Sequence, residues 1–146
     1  MNWFLRKFDE LSLNQLYQIL QLRQEVFVVE QTCPYLDADG ADSHAEHLFA
    51  RNEAGEMVAY ARIFQASEQQ SYARIGRVLT AQSVRRSGLG RELMTRAIDY
   101  LEQRAPGTPI RIGAQTYLLT FYQSFGFKAI SEEYLEDDIP HIDMER

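Results

Sequence analysis

The chain has a single cysteine, Cys33, among its 146 residues. That excludes an intrachain disulfide and any zinc site built on paired cysteines, and it fits a reducing, intracellular setting. Cys33 stands just before Pro34 with no basic neighbour to lower its pKa, so it reads as a small structural residue, not a nucleophile. No apolar run approaches the roughly 20 residues of a membrane span. The opening Met1-Asn2-Trp3-Phe4-Leu5-Arg6 has neither a charged lead-in nor a small-residue cleavage site. A secretory signal is therefore not expected, and the predicted location is cytoplasmic. There is no repeat, linker or low-complexity tract. Positive charge is also scarce: 15 Lys and Arg stand against 21 Asp and Glu, for a net charge of -6. A broad nucleic-acid-binding face would need the opposite balance.

What positive charge exists is concentrated. Arg74, Arg77, Arg85, Arg86, Arg91 and Arg96 face one acid, Glu92, so this stretch carries +5 and the remainder of the chain -11. A basic island on an acidic protein suggests a small polyanion held locally. Within the island, Arg85-Arg86-Ser87-Gly88-Leu89-Gly90 joins a strand-like run, Ile75 to Thr80, to a helix-like run, Leu89 to Arg104. A glycine-bearing turn at a helix N-terminus aims several backbone N–H groups at one point, backed by the positive end of the helix dipole. The glycines allow close approach and the arginines add fixed charge, a geometry suited to phosphate. The spacing is neither a Walker loop nor the three-glycine dinucleotide fingerprint.

Apolar content of 45% and aromatic content of 12% predict one folded domain over residues 1–146, burying about 70% of its unfolded surface. Trp3 to Phe8 reads as a strand. Ser12 and Gln15 form a capping box that opens a helix running to about Glu30. Cys33 to Ala45 is acidic and turn-rich. His47 to Ala50 and Met57 to Phe64 are strands around the turn Asn52-Glu53-Ala54-Gly55, and Tyr72 to Thr80 is another. Leu89, Leu93, Met94, Ala97, Ile98 and Leu101 make an apolar stripe on the next helix. Ile110 to Ile112 is a strand, and Tyr117 to about Phe125 a short helix capped by Gly126. Phe127 to Ile130, continuing toward Tyr134, and His141 to Glu145 close the chain as strands. The fold class is α/β (α+β layered), with a βαβα unit around the arginine–glycine turn.

Two segments carry a family resemblance. Arg85 to Gly90 fits an R/Q-x-x-G-x-G/A turn, and Phe121-Tyr122-Gln123-Ser124-Phe125-Gly126-Phe127 fits a downstream Tyr and Gly-Phe pattern. In this order they resemble the GNAT family of acyl-CoA-dependent N-acyltransferases, from Tyr72 to Ile130. Val26 to Pro34, His44 to Leu48 and Leu135 to Ile142 look like its ElaA subgroup, which extends the likeness over nearly the whole chain. Gln115 stands where the general family usually has Asn, and Leu118 where it has Ala.

The resemblance implies a mixed, splayed central sheet flanked by helices and acetyl-CoA as acyl-donor cosubstrate. The backbone of Val78, Leu79 and Thr80 would hold the pantetheine arm. The N–H groups of Arg85, Arg86, Ser87, Gly88, Leu89 and Gly90, with Arg91, would hold the pyrophosphate, and Gln115 would border the same site. Tyr122 would be the general acid for the departing thiolate, since a phenol with pKa near ~10 stays protonated at neutral pH. The acceptor would be a small-molecule or peptide primary amine; its identity and the oligomeric state, a dimer included, are left open.

An amine with pKa near ~10 is only about 0.1% neutral at pH 7, so a base is needed. The glutamate that many family members use falls near Arg74 and is not carried over. His47, at the start of a strand, is placed first, ahead of Glu30, Glu46, His44 and His141. Asp37 to Glu46 would either draw in a cationic amine or be solvated loop charge. His44 and His47 sharing a metal is a further reading, but the segment has no defined ligand register, and no metal site is expected. The alternative to an enzyme is a non-catalytic CoA-binding or regulatory module on the same fold.

Overall fold

Local capping sets the first helix. In a computed structural model, which describes residues 1–146, Ser12 Oγ accepts from the Gln15 amide at 3.1 Å. Gln15 Oε1 in turn accepts from the Ser12 amide at 2.9 Å, the reciprocal capping box. This opens α1 (Leu13–Arg23). The predicted helix does reach Glu30, but from Gln24 to Glu30 it is wound as a π-helix, and the Gln31 amide donates back to the Val26 carbonyl at 3.3 Å. That wider winding is a local departure from regular α geometry. Val26 is buried on it, and the segment ends at Thr32, whose φ is 49°.

The strands are β1 (Asn2–Lys7), β2 (Glu46–Arg51), β3 (Met57–Phe64), β4 (Ala73–Thr80), β5 (Ile110–Gln115), β6 (Lys128–Ala129), β7 (Tyr134–Glu136) and β8 (Ile139–Glu145). They form one sheet in the order β1-β2-β3-β4-β5-β8-β6, with β7 also paired to β8. Every pairing is antiparallel except β4 with β5. The sheet is thus mixed, as the resemblance implies, and β4 and β5 part after a short contact.

Strand alternation divides the core between two faces. Leu48 and Ala50 point to the side covered by α2 (Leu89–Arg104), where Leu93, Met94 and Ala97 are fully buried. Phe49 and Tyr60 point to the other side and pack with Ile19 and Leu22 of α1. The apolar stripe read from sequence is therefore the buried face of α2. The predicted hairpin turn also forms, with Gly55 at φ 81° and the Asn52 side chain accepting from the Glu56 amide at 2.9 Å. One turn was not anticipated. Asp137 and Asp138, at φ 50° and 62°, connect β7 to β8, the double positive-φ geometry of a tight hairpin that Asp tolerates.

Candidate active site

Two features of β4 open a cleft. Its parallel pairing with β5 is confined to Ala73 with Ile110 and Arg74 with Arg111. Further along, Gly76 pairs with Arg62 but Leu79 with Tyr60, so Arg77 and Val78 stand opposite Ala61 alone. This bulge holds Arg77 at φ 49° and bends the strand away from β5. The cavity between the diverging strands is about 1710 Å³. Along it the structure brings together Val78, Leu79 and Thr80 of β4, the arginine–glycine turn, Gln115 at the end of β5, and Tyr122.

The turn occupies one end. Arg85, Arg86, Gly88, Gly90 and Arg91 border the cavity. Ser87 and Leu89 contribute no side chain to it, because the Ser87 hydroxyl donates to the Val84 carbonyl and the Leu89 side chain is in the core. Gly88 is the N-cap of α2 at φ 85°, with no side-chain cap. The first amides of a 16-residue helix are thus left without intrahelical partners. A Cβ on Gly90 would already touch the Phe121 ring and Thr80 Cγ2 at 4.0 Å.

The basic island is partly neutralised within the protein. Arg77 pairs with Asp37 at 2.9 Å, Arg96 with Glu92 at 3.2 Å, and Arg85 makes a two-pronged pair with Glu30 at 2.7 and 2.9 Å. Arg91 lies 4.6 Å over the Phe125 ring and donates to Ser124 Oγ at 3.1 Å.

Tyr122 sits on α3 (Leu119–Gln123), its ring edge-on to Phe121 at 5.2 Å and Phe127 at 6.2 Å. The residue is 7% exposed and borders the cavity. Burial, reinforced by nearby Tyr117, pushes its hydroxyl up to about 12, so it stays protonated at neutral pH.

His47 does not fit the role the sequence assigned to it. It is fully buried and does not border the cavity. Its Nε2 lies 2.9 Å from the Asp42 carbonyl and its Nδ1 2.6 Å from the Tyr60 hydroxyl. The carbonyl can only accept, so Nε2 donates and Nδ1 accepts, leaving neither nitrogen for an amine or a metal. Burial lowers its pKa and keeps the ring neutral. The physical reason is position: β2 is separated from the cleft by β3. Glu46 is likewise engaged, by Tyr100 and by Gln65. His44 and His141 do border the cavity.

The aspartates of the acidic segment are held in ion pairs within the protein and are not free solvated charge. Asp37 bridges Arg23 at 2.8 Å and Arg77 at 2.9 Å, while Asp42 bridges Arg23 at 2.7 Å and Arg62 at 3.0 Å. Asp39 takes two bonds from Arg62, at 2.8 and 2.9 Å. The Arg62 hydrogen bonds hold the Asp39 carboxyl far below its usual range. For Asp42, burial opposes ionisation but the hydrogen bond and charge of Arg23 outweigh it, again lowering the pKa.

Groups that ionise more readily when folded stabilise the fold above their unfolded pKa of about 4, and that contribution drains away as pH falls. Urea midpoints followed from about pH 7 to about pH 2 should therefore drop below pH ~4, and less steeply in Asp39→Asn. Parallel curves would contradict the assignment.

Tyr134, Glu136 and His141 border the cavity with Arg74; of this wall the sequence offers His141 only as a base candidate behind His47, and it does not single out Tyr134 or Glu136. The usable signal was Asp137-Asp138 between two strand-like runs, a tight-turn pair that folds β7 onto β8.

Known proteins share this arrangement. The Acetyltransferase (GNAT) domain family matches residues 16–146. Over 141 residues the chain is 45% identical to protein ElaA of Escherichia coli K12, covering 94% of this chain and 91% of that protein. The fold superimposes on an acyl-CoA N-acyltransferase from Pseudomonas aeruginosa with a TM-score of 0.94 at 42% identity, covering 100% and 99% of the two chains. For the crystal structure of Escherichia coli ElaA the TM-score is 0.92 at 42% identity, over 99% and 98%. Because the likeness runs through both strands of the cleft as well as the turn beside them, the chain belongs to the GNAT acetyltransferase family.

Proposed function

We propose that this protein is an acetyl-CoA-dependent N-acetyltransferase that moves the acetyl group directly from the thioester to a primary amine. The observation that carries this reading is the splayed β4–β5 edge with the uncapped α2 N-terminus at one end and Tyr122 within reach of the cleft. Beyond its short pairing with β5, the edge of β4 at Val78, Leu79 and Thr80 offers backbone groups to an amide-bearing arm, apart from the Thr80 carbonyl, which accepts from Arg85 at 3.2 and 3.3 Å. An N–H near Leu79 would steady the oxyanion of the tetrahedral intermediate. The amides of the turn from Arg85 to Arg91 would take the pyrophosphate, with Arg86 bordering the same cavity. Gln115 borders the cleft, its Nε2 donating to Gln31 Oε1 at 3.4 Å. Tyr122 donates its proton to the departing sulfur.

No covalent acyl-enzyme is involved. Cys33 is buried, its thiol donates to the Asp137 carbonyl at 3.3 Å, and burial pushes its pKa up, all of which oppose a thiolate nucleophile. A buried reduced thiol also suits work in the cytoplasm.

Calorimetry of acetyl-CoA on the native protein and on Gly88→Val/Gly90→Val tests the site. A valine at φ 85° is strained, and a second branched side chain would crowd the turn beside Phe121 and Thr80. Binding by the native protein and its loss in a variant that keeps the native circular dichroism are the expected results. No binding by the native protein would overturn the proposal.

A further inference from the structure

Acyl transfer to an ammonium-bearing acceptor needs a base, and a histidine other than His47 has the geometry for it. His141, on β8, borders the cavity with its side chain 10% exposed. Its Nδ1 is 2.7 Å from the Ile139 carbonyl oxygen. That oxygen can only accept, so Nδ1 carries the hydrogen and the neutral ring has its lone pair on Nε2. The ring is held in place by Tyr134, stacked at 6.0 Å with an interplanar angle of 22°. Tyr134 is itself anchored, its hydroxyl donating to Asp143 Oδ1 at 2.6 Å. On the lone-pair side, Nε2 lies 3.5 Å from Glu136 Oε2, whose side chain is 61% exposed at the cavity rim. The ring therefore offers one basic nitrogen in a fixed tautomer, with a carboxylate placed to receive the N–H that nitrogen gains. The surrounding titratable groups are Tyr134, Glu136 and Asp137 of the hairpin, Asp143 on β8, Arg74 on β4, and Cys33, whose thiol meets the Asp137 carbonyl.

We infer that His141 is the general base that deprotonates the acceptor amine, a reading that rests on the acyl transfer proposed above. The ammonium N–H gives its proton to His141 Nε2, and the freed nitrogen lone pair forms the bond to the acetyl carbonyl carbon. The C–S bond breaks with its electron pair going to sulfur, which takes a proton from the Tyr122 hydroxyl. The second proton lost from nitrogen as the amide forms returns to Tyr122 through water. His141 releases its proton past Glu136 to solvent. Ammonium and thioester become amide, thiol and one proton.

The test compares two acceptors at neutral pH: an alkylamine, which is protonated, and an aromatic amine, which is already neutral. In His141→Gln, kcat/KM for the alkylamine should fall about 100-fold, that for the aromatic amine only a few-fold, with acetyl-CoA binding unchanged. Equal losses on the two amines, or none, overturn the assignment. If His141→Gln does not fold, Glu136→Gln at its exposed position carries the comparison; a loss confined to the alkylamine is expected, and no difference between the amines overturns it. Nitrogen-15 shifts of His141 read the tautomer without any turnover. An Nδ1–H ring is expected, and an Nε2–H ring refutes the proposal. A native protein that binds acetyl-CoA yet acetylates neither amine defeats the transfer reading itself, and the base with it.

Discussion

Asp37→Ala is expected to cost about 3–5 kcal/mol of folding stability, because it takes from the fully buried Arg23 one of its two carboxylate partners. Asp37 is 4% exposed and Arg23 is fully buried. Arg23 spends Nε on the Asp37 carboxylate at 2.8 Å, Nη2 on the Asp37 carbonyl at 2.9 Å, and Nη1 on Asp42. Removing the side chain takes the same carboxylate from Arg23 and from the partly exposed Arg77, and around Arg23 water does not readily refill the gap. An exposed pair supplies the contrast. Glu92→Ala breaks the Arg96 bridge, where both side chains are nearly half exposed, and should cost about 0.5 kcal/mol. Urea unfolding of the two variants, with unchanged m-values, measures the difference. Equal costs would mean that the loop from Cys33 to Ala45 is not held by these ion pairs.

The second large effect is catalytic. Tyr122→Phe removes one oxygen and keeps the ring that packs against Phe121 and Phe127. If the phenol protonates the leaving sulfur, kcat should fall about 100-fold, some 2.7 kcal/mol in the barrier. Acetyl-CoA affinity by calorimetry should stay unchanged. Since burial pushes the hydroxyl up to about 12, its protonated form persists across the neutral range and no alkaline loss of activity there should trace to it. Unchanged turnover removes the role. Tight acetyl-CoA binding without turnover on any amine would leave a CoA-binding module in place of an enzyme.

Local signals in the sequence match the structure. The Ser12–Gln15 box, the Asn52–Gly55 turn, the α2 stripe and the turn at Gly88 each depend on residues a few positions apart, where propensity and periodicity act directly. What escaped was set by distance along the chain. Asp37 meets Arg23 and Arg77 at separations of 14 and 40 residues, so a segment that reads as free negative charge is an internal counter-ion. The two histidines show the same limit. His47 and His141 both look like strand residues, but only the sheet order puts His141 opposite Gln115 at the mouth of the cleft and His47 beyond β3. The π-winding after Arg23 left no pattern distinct from an ordinary helix.

The sheet order also bears on how the molecule is made. Strand β8 lies beside β5, β6 and β7, yet it leaves the ribosome after all three. Until it emerges, β5 presents an open edge and β6 and β7 have nothing to pair with. The first four strands are antiparallel neighbours in chain order and, with α1 packed on them, can assemble early, during synthesis. The half-built protein therefore has a formed hydrophobic platform and an unsealed strand edge, the condition in which nascent chains most need shielding from one another. The wall that carries His141 is the last part of the cleft to be put in place.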